Sequence, residues 1–258
     1  MSAPALWDDY PYRVVSSRRV TPVIQELHLT PDAAVMPYRP GQYALLNDRD
    51  YQVPQRSYSM ANAPRADGVV SLLVTHVPDG PTSTWVHHQL TPGGLVTLSG
   101  PYGTFTPDPA EQGPVLLLAA GSGLAPARAL AEGLLGGRPS RPVTLFFSAR
   151  RAADVIDRSR FQDWANTRSG FRYLVTLTRE PHAVDRPRIP DLLPGTLGDL
   201  TGWEVFASGP PGFVSGCATA ARALGADAAM VHTEEFFTEP QPWTEQPPSP
   251  QLRKASPR

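Results

Sequence analysis

Cysteine is almost missing from this sequence: its 258 residues include one, Cys217. No intrachain disulfide can form. Neither a Cys-ligated iron–sulfur cluster nor a four-Cys zinc site can be built, because each needs several thiolates. A reduced, cytoplasmic setting is therefore the expectation. Lysine is equally scarce, with Lys254 alone beside 22 arginines, while proline reaches 30. Both are read as coding bias and carry no functional weight. Charge of one sign is not in excess: 23 basic residues face 24 acidic ones, for a net −1. That argues against a nucleic-acid-binding surface. No stretch approaches the ~18 uncharged apolar residues that a membrane span needs. The longest apolar run, Val115–Ala120, has the length of a strand. Residues 1–9 show no basic segment followed by an apolar core, so no secretion signal is expected.

What is present suffices for an ordinary core, at 41% hydrophobic content, and the length suits one large domain or two small ones. The pattern changes near residue 110. Before it, short alternating runs at 13–20, 23–30, 42–46, 56–61, 69–77 and 95–99 are divided by Pro and Gly breakers. Six such strands predict an antiparallel β-barrel or sandwich, with one short helix at 83–90. Residues 108–114 read as a linker. Strand and helix then alternate. Strands are expected at 115–119, 143–147, 173–178, 204–207 and 230–233, and helices at 126–136, 161–167 and 213–224. Apolar strands alternating with helices predict an α/β doubly wound parallel sheet, with ligands at the carboxyl ends of its strands. The expected division is 1–110, 111–238 and a Pro-rich tail, 239–258, read as disordered with Trp243 as a possible anchor.

The stretch from Arg56 to Asn62 carries the most information. Strand alternation sets Arg56, Tyr58 and Met60 on one face, and Ser57, Ser59 and Ala61 on the other. An Arg and a Tyr on a barrel strand also suit surface and packing roles. Gly80, Thr82 and Ser83 then open a helix. Glycine followed by hydroxyl residues at a helix N-terminus suits a phosphate, since backbone N–H groups and the positive dipole end face the anion.

In order, these motifs resemble the ferredoxin–NADP reductase superfamily of flavoprotein reductases. The matches are Arg-x-Tyr-Ser (Arg56, Tyr58, Ser59), Gly-x-x-Ser (Gly80, Ser83), Gly-x-Gly-x-x-Pro (Gly121, Gly123, Pro126) and Gly-Pro-Pro (Gly209, Pro210, Pro211). The resemblance spans roughly residues 10–237. It implies a barrel that holds FAD and a doubly wound domain that holds NADPH or NADH. Hydride would pass from nicotinamide C4 to flavin N5, and electrons would leave singly.

By the same resemblance, Arg56 would pair with a flavin phosphate. Tyr58 would stack on the isoalloxazine, with Ser57 beside it and Ser59 near N5. Gly80, Thr82 and Ser83 would hold the pyrophosphate. Gly121, Ser122, Gly123 and Pro126 would receive the nicotinamide nucleotide, and Gly209 and Pro210 would line its pocket. Ser208 stands where the family often has Cys. Glu234 and Phe236 match a C-terminal Glu-x-aromatic beside the flavin, although Phe236 and Phe237 would also suit core packing. Ser59, Glu234 and Ser208 are the catalytic candidates.

Nucleotide choice turns on the tip of the second strand of the α/β domain. Arg150 and Arg151 there, with Arg179 after the next strand, lean toward NADPH, although Arg150 also resembles NADH-using members. The histidines (His28, His76, His87, His88, His182 and His232) lack metal-ligand spacing, and no metal is expected. No Gly-x-Ser-x-Gly elbow is present. With one cysteine and hence no iron–sulfur carrier of its own, the chain, expected to be a monomer, would pass electrons to a separate acceptor protein. A ferredoxin, a flavodoxin or an oxygenase component would fit, and Arg18, Arg19 and Arg49 are docking candidates. Two alternatives stay open: a reductase of free flavin, ferric chelates or quinones, and a flavin-binding interaction subunit without nicotinamide turnover. FAD is favoured over FMN because Arg56 and the Gly80–Ser83 turn are both present, although an FMN-using relative could retain either.

Overall fold

The computed structural model describes residues 9–50, 52–137, 140–180 and 188–237. Its first sheet has six strands: β1 (Asp9–Arg19), β2 (Ile24–Pro31), β3 (Tyr43–Asp48), β4 (Arg56–Ser59), β5 (Val70–Thr75) and β6 (Leu95–Tyr102). Their order is β4-β3-β6-β1-β2-β5, with antiparallel neighbours throughout. The two outer strands come together where Met60 bridges Leu72 and the Ala61 N–H donates to the Ser71 carbonyl at 2.8 Å. The sheet thus rolls into a nearly closed barrel. Alternate residues such as Tyr12, Val14, Leu27, Leu29, Leu46 and Leu98 point inward and form one core. Helix α1 (Pro81–His88) sits between β5 and β6 in sequence.

The second sheet is parallel: β7 (Val115–Ala120), β8 (Val143–Ala149), β9 (Phe171–Leu177), β10 (Glu204–Gly209) and β11 (Val231–Glu235), in the order β11-β10-β7-β8-β9. Helices α2 (Leu124–Gly136), α3 (Arg158–Thr167), α4 (Ile189–Thr196) and α5 (Pro211–Ala223) accompany it. β7 is apolar on both faces because both are covered. Leu117 enters a core with residues of α2, while Leu116 and Leu118 join Cys217 and Val214 of α5. Burial pushes the Cys217 thiol up to about 12, which leaves it protonated and inert.

Helix α4 has no counterpart in the sequence reading. Pro190, Pro194 and Gly195 make its segment look like a break. Pro190 stands in the first turn, where a missing N–H costs nothing. Ile189 and Leu193, both buried, hold the short helix on the sheet. The histidine His182 and the tail from residue 239, with Trp243, lie outside the described residues.

The expected linker, 108–114, has no regular structure but is firmly tied. The Asp108 N–H donates to Glu204 Oε1 at 3.0 Å, Arg141 Nη1 reaches Glu204 Oε2 at 2.7 Å, and Arg141 Nε donates to the Gly113 carbonyl at 2.8 Å. The barrel and the parallel sheet also share one core, in which Ile24, Ala61, Leu73 and Phe105 meet Leu117, Leu124 and Leu130. Gly41 is required at this junction. Its φ is +94°, and a side-chain carbon there would lie 1.8 Å from the Phe105 carbonyl oxygen.

Candidate functional site

The carboxyl ends of β7, β10 and β11 lie side by side, and β11 meets β4 where Glu234 bonds to Ser59. Ser208 lies opposite Ala119 on one flank and Glu234 on the other. Between β7 and α2 the chain turns sharply through Gly121 to Gly123. Gly121 has φ +57°, and a Cβ at Gly123 would stand 2.3 Å from the Ser208 carbonyl oxygen. Only glycine permits this approach. The Ser208 hydroxyl donates to the Gly123 carbonyl at 2.7 Å, and the Thr75 hydroxyl, from the barrel, donates to Ser122 Oγ at 2.9 Å. Pro126 falls in the first turn of α2, and Pro210 precedes α5. The Phe236 N–H donates to the Gly209 carbonyl at 2.8 Å.

β4 delivers alternate residues to two places. Tyr58 packs against the barrel core, and Met60 lies within it. Burial raises the Tyr58 phenol above its ordinary range. Ser59, on the opposite face, donates to Glu234 Oε1 at 3.1 Å. The other Glu234 oxygen is buried with no hydrogen-bond partner among the described residues. Burial drives this carboxyl up to about 7, and the Ser59 hydroxyl only partly opposes the rise. A cleft of about 260 Å³ opens here, lined by Tyr43, Gly103, Phe105, His232, Thr233 and Glu234 among others. Of these, His232 carries no sequence signal, since it lacks metal-ligand spacing. Its ring stacks on Phe206 at 4.6 Å, and Nε2 stands 3.3 Å from Glu204 Oε1.

A second cleft, of about 700 Å³, runs along α1 and is lined by Val53, His76, Asp79, Pro81, Thr84 and Trp85 among others. Gly80 caps α1 without a side-chain hydrogen bond, so the N–H groups of the first turn are left for an anion. The hydroxyls of Thr82 and Ser83 do not face this opening. Both side chains are buried: Thr82 donates to the Pro54 carbonyl at 2.5 Å, and Ser83 holds the Val77 and Gly80 carbonyls. They build the turn, and the backbone is left to meet the ligand. The Thr82 bond also brings α1 against the residue two before Arg56. Arg56 and Ser57 are exposed, and Arg56 Nη1 donates to the Gln55 carbonyl at 2.8 Å.

At the tips of β8 and β9, the Arg179 N–H donates to the Arg150 carbonyl at 2.7 Å, which brings the two arginines side by side. Arg150, Arg151 and Arg179 are exposed. Two carboxylates stand among them: Asp154 accepts from the Arg151 N–H at 3.0 Å, and Glu180 from the Ala152 N–H at 2.8 Å. Among the described residues no group of three His, Cys, Asp or Glu side chains is arranged to hold a metal. No described helix is long and apolar enough to cross a membrane.

Two features of this surface fit a flavin dinucleotide. One is the start of α1, without a side-chain cap, beside the larger of the two clefts described. The other is the unpartnered Glu234 oxygen beside Ser59. The chain's similarity to known proteins agrees with that fit. Residues 13–106 match the oxidoreductase FAD-binding domain, and residues 117–219 match the oxidoreductase NAD-binding domain. The reductase component 1 of terephthalate 1,2-dioxygenase from Comamonas is 31% identical over 232 residues, covering 88% of this chain and 68% of that protein.

This chain belongs to the ferredoxin–NADP reductase superfamily. It carries the flavin-binding and nicotinamide-binding units of an NAD(P)H flavoprotein oxidoreductase. The reductase subunit of an Amycolatopsis aromatic O-demethylase is 35% identical over 187 residues, 70% of this chain and 56% of its own length. The crystal structure of an Amycolatopsis cytochrome P450 reductase superposes with a TM-score of 0.80 at 30% identity, covering 89% of this chain and 70% of that one. The reductase fold is thus an antiparallel barrel followed by a helix-covered parallel sheet. The chain spans only part of the length of these relatives.

Proposed function

We propose that this chain takes reducing equivalents from a nicotinamide nucleotide, through FAD, and delivers them to a separate acceptor protein: a ferredoxin, a flavodoxin or an oxygenase component. The observation that carries this reading is the Ser59–Glu234 hydrogen bond, which joins the barrel to the carboxyl ends of the parallel strands. Reductase components of a dioxygenase and an O-demethylase among the relatives support the choice of acceptor. FAD, when bound, supplies hydride acceptance and one-electron release, and the protein supplies binding and orientation.

In this reading Arg56 and the backbone of Gly80, Thr82 and Ser83 hold the flavin phosphates. Tyr58, Ser57 and Ser59 address its ring, with Phe236 and Glu234 behind it. Gly121, Ser122 and Gly123 accept the nicotinamide nucleotide, with Pro126, Gly209 and Pro210 shaping its pocket. Ser208, fully buried, acts by holding the Gly123 carbonyl and so the turn. The barrel unit is 1–110 and the nucleotide unit 111–238. The protein works in the cytoplasm as a monomer.

Arg150, Arg151 and Arg179 favour the 2′-phosphate of NADPH. One observation favours NADH instead: Glu180 and Asp154 already occupy the backbone N–H groups at the β8 tip, and carboxylates suit a ribose hydroxyl better than a phosphate. Anaerobic titration of the flavin-loaded protein with each nucleotide tests the whole proposal. Bleaching of the flavin band near ~450 nm, then reoxidation by purified acceptor proteins, is expected. A protein that takes up no flavin, or flavin that neither nucleotide bleaches, would refute it.

A further inference from the structure

The largest fully buried side chain among the described residues is a charged one, Arg128 of α2, which is 1% exposed. A guanidinium taken out of water is costly unless all its donors are engaged. Here they are. Nε donates to the Ala61 carbonyl, Nη2 to Glu26 Oε1 at 2.6 Å, and Nη1 to Asp157 Oδ2 at 2.6 Å. Two of these partners belong to the barrel and one to the parallel-sheet half. One helical turn further on, Glu132 Oε2 accepts from the Ala63 N–H at 2.8 Å, and its other oxygen takes Arg160 Nη2. Helix α2 therefore grips the chain at Ala61 by its carbonyl and at Ala63 by its N–H, just past Ser59.

The far side of the grip is equally well anchored. Glu26, on β2, also receives Arg18 Nη2 at 3.1 Å and lies 3.4 Å from His28 Nε2. Burial opposes its charge, but His28 and Arg128 hold the carboxyl well below the usual range, so it stays ionised. Asp157 begins α3 in a left-handed conformation, φ +53°, and Arg160 adds a further contact at 3.6 Å. The helix that bears Arg128 starts at the Gly121–Gly123 turn. One side chain thus links the turn at the end of β7 to the strand that presents Ser59.

We infer that Arg128 is a positioning residue. Through Ala61 and Glu26 it sets the distance and tilt between the nicotinamide-binding turn and the Ser59 edge of the flavin site, and thereby the rate of hydride transfer. This rests on the flavoprotein reading above. An apolar clamp would add cohesion. A planar fork with three directed partners also fixes orientation. Displacements of ~1 Å in a hydride-transfer complex cost up to about 100-fold in rate.

The test is stopped-flow reduction of the flavin-loaded protein at saturating nucleotide, for the parent and for Arg128→Lys, Arg128→Met and Glu26→Gln. Flavin content, nucleotide Kd and Tm are measured alongside. The readouts specific to positioning are the limiting reduction rate and the primary deuterium isotope effect with C4-deuterated nucleotide. Arg128→Met should lower the limiting rate about 10- to 100-fold, with the nucleotide Kd within about twofold and a larger isotope effect. Arg128→Lys should recover part of the rate. If Arg128→Met does not fold, Arg128→Lys and Glu26→Gln are read in the same way. Folded, flavin-loaded variants that keep the parental rate and isotope effect would overturn the inference, whatever their Tm. A parent that neither nucleotide reduces would instead refute the functional reading itself.

Discussion

Ser59 and Glu234 lie 175 positions apart in the chain, yet the serine hydroxyl donates to the carboxylate at 3.1 Å. The contact spans the barrel and the last strand of the parallel sheet. Because burial lifts the carboxyl to about 7, this pair changes charge near neutrality. The rate of flavin reduction should therefore carry an inflection near pH 7. Glu234→Gln should erase that inflection. Ser59→Ala should move it upward, because the hydroxyl favours the ionised form. Reduction rates between about pH 5 and 9 check both outcomes.

Stability should follow the same carboxyl. The folded protein holds the Glu234 proton more tightly than the unfolded chain does. The stabilisation is fully present below the ordinary value of 4.5 and is lost as pH rises through about 7. Glu26 runs the other way: its carboxyl is depressed, so its contribution is present above 4.5 and fades in acid. In thermal melts, the Tm difference between the parent and Glu234→Gln should change between pH 4.5 and about 7 and then level off.

Arg56→Ala should weaken flavin retention without unfolding the barrel, since the side chain is exposed. A charged hydrogen bond contributes about 1.5–3 kcal/mol, which corresponds to a rise of about 10- to 100-fold in flavin Kd. Fluorescence of released flavin on dilution measures it, and an unchanged Kd removes Arg56 from the phosphate site.

Gly123→Ala should be severe. The added carbon would stand 2.3 Å from the Ser208 carbonyl oxygen, on rigid backbone. The turn must open or β10 must shift, at about 1–3 kcal/mol. The expected result is a lower Tm and a nucleotide Kd raised at least about tenfold, with flavin content unchanged. Calorimetry with the oxidised nucleotide would measure it.

Nucleotide selectivity should respond in opposite directions to two substitutions at the strand tips. Arg150→Ala should lower kcat/KM for NADPH more than for NADH. Glu180→Gln should raise the NADPH:NADH ratio, because it removes a carboxylate that a 2′-phosphate would have to approach. Equal effects on both nucleotides would place neither residue beside the ribose.

Much of the site was legible because its geometry is local. Gly80 and the residues after it mark a helix start within four positions. Gly121 and Gly123 mark a tight turn after an apolar strand, and alternation along β4 separates Tyr58 from Ser59. What local pattern does not show is a partner that lies elsewhere in the fold. Thr82 and Ser83 look like phosphate ligands, yet their hydroxyls bond to Pro54, Val77 and Gly80. Nothing in the sequence around Ser208 points to its bond to the Gly123 carbonyl, 85 positions away. Helix α4 was hidden by its prolines, because the burial of Ile189 and Leu193 that stabilises it is tertiary.

Composition and periodicity alone determined the two-part architecture and the absence of a thiolate cluster within this chain. Spacing along β4 and around the glycines marked the turn after β7, the start of α1 and the separation of Tyr58 from Ser59. These properties depend on backbone conformation and neighbours a few residues away. Only the tertiary structure decided which charges are buried and where two distant carboxyls titrate. Arg128 reads in sequence as one of many arginines on a helix. It becomes the link between the two halves only when folding removes it from water and leaves Ala61, Glu26 and Asp157 as its partners. Desolvation is a property of the whole packed chain, so no local pattern records it.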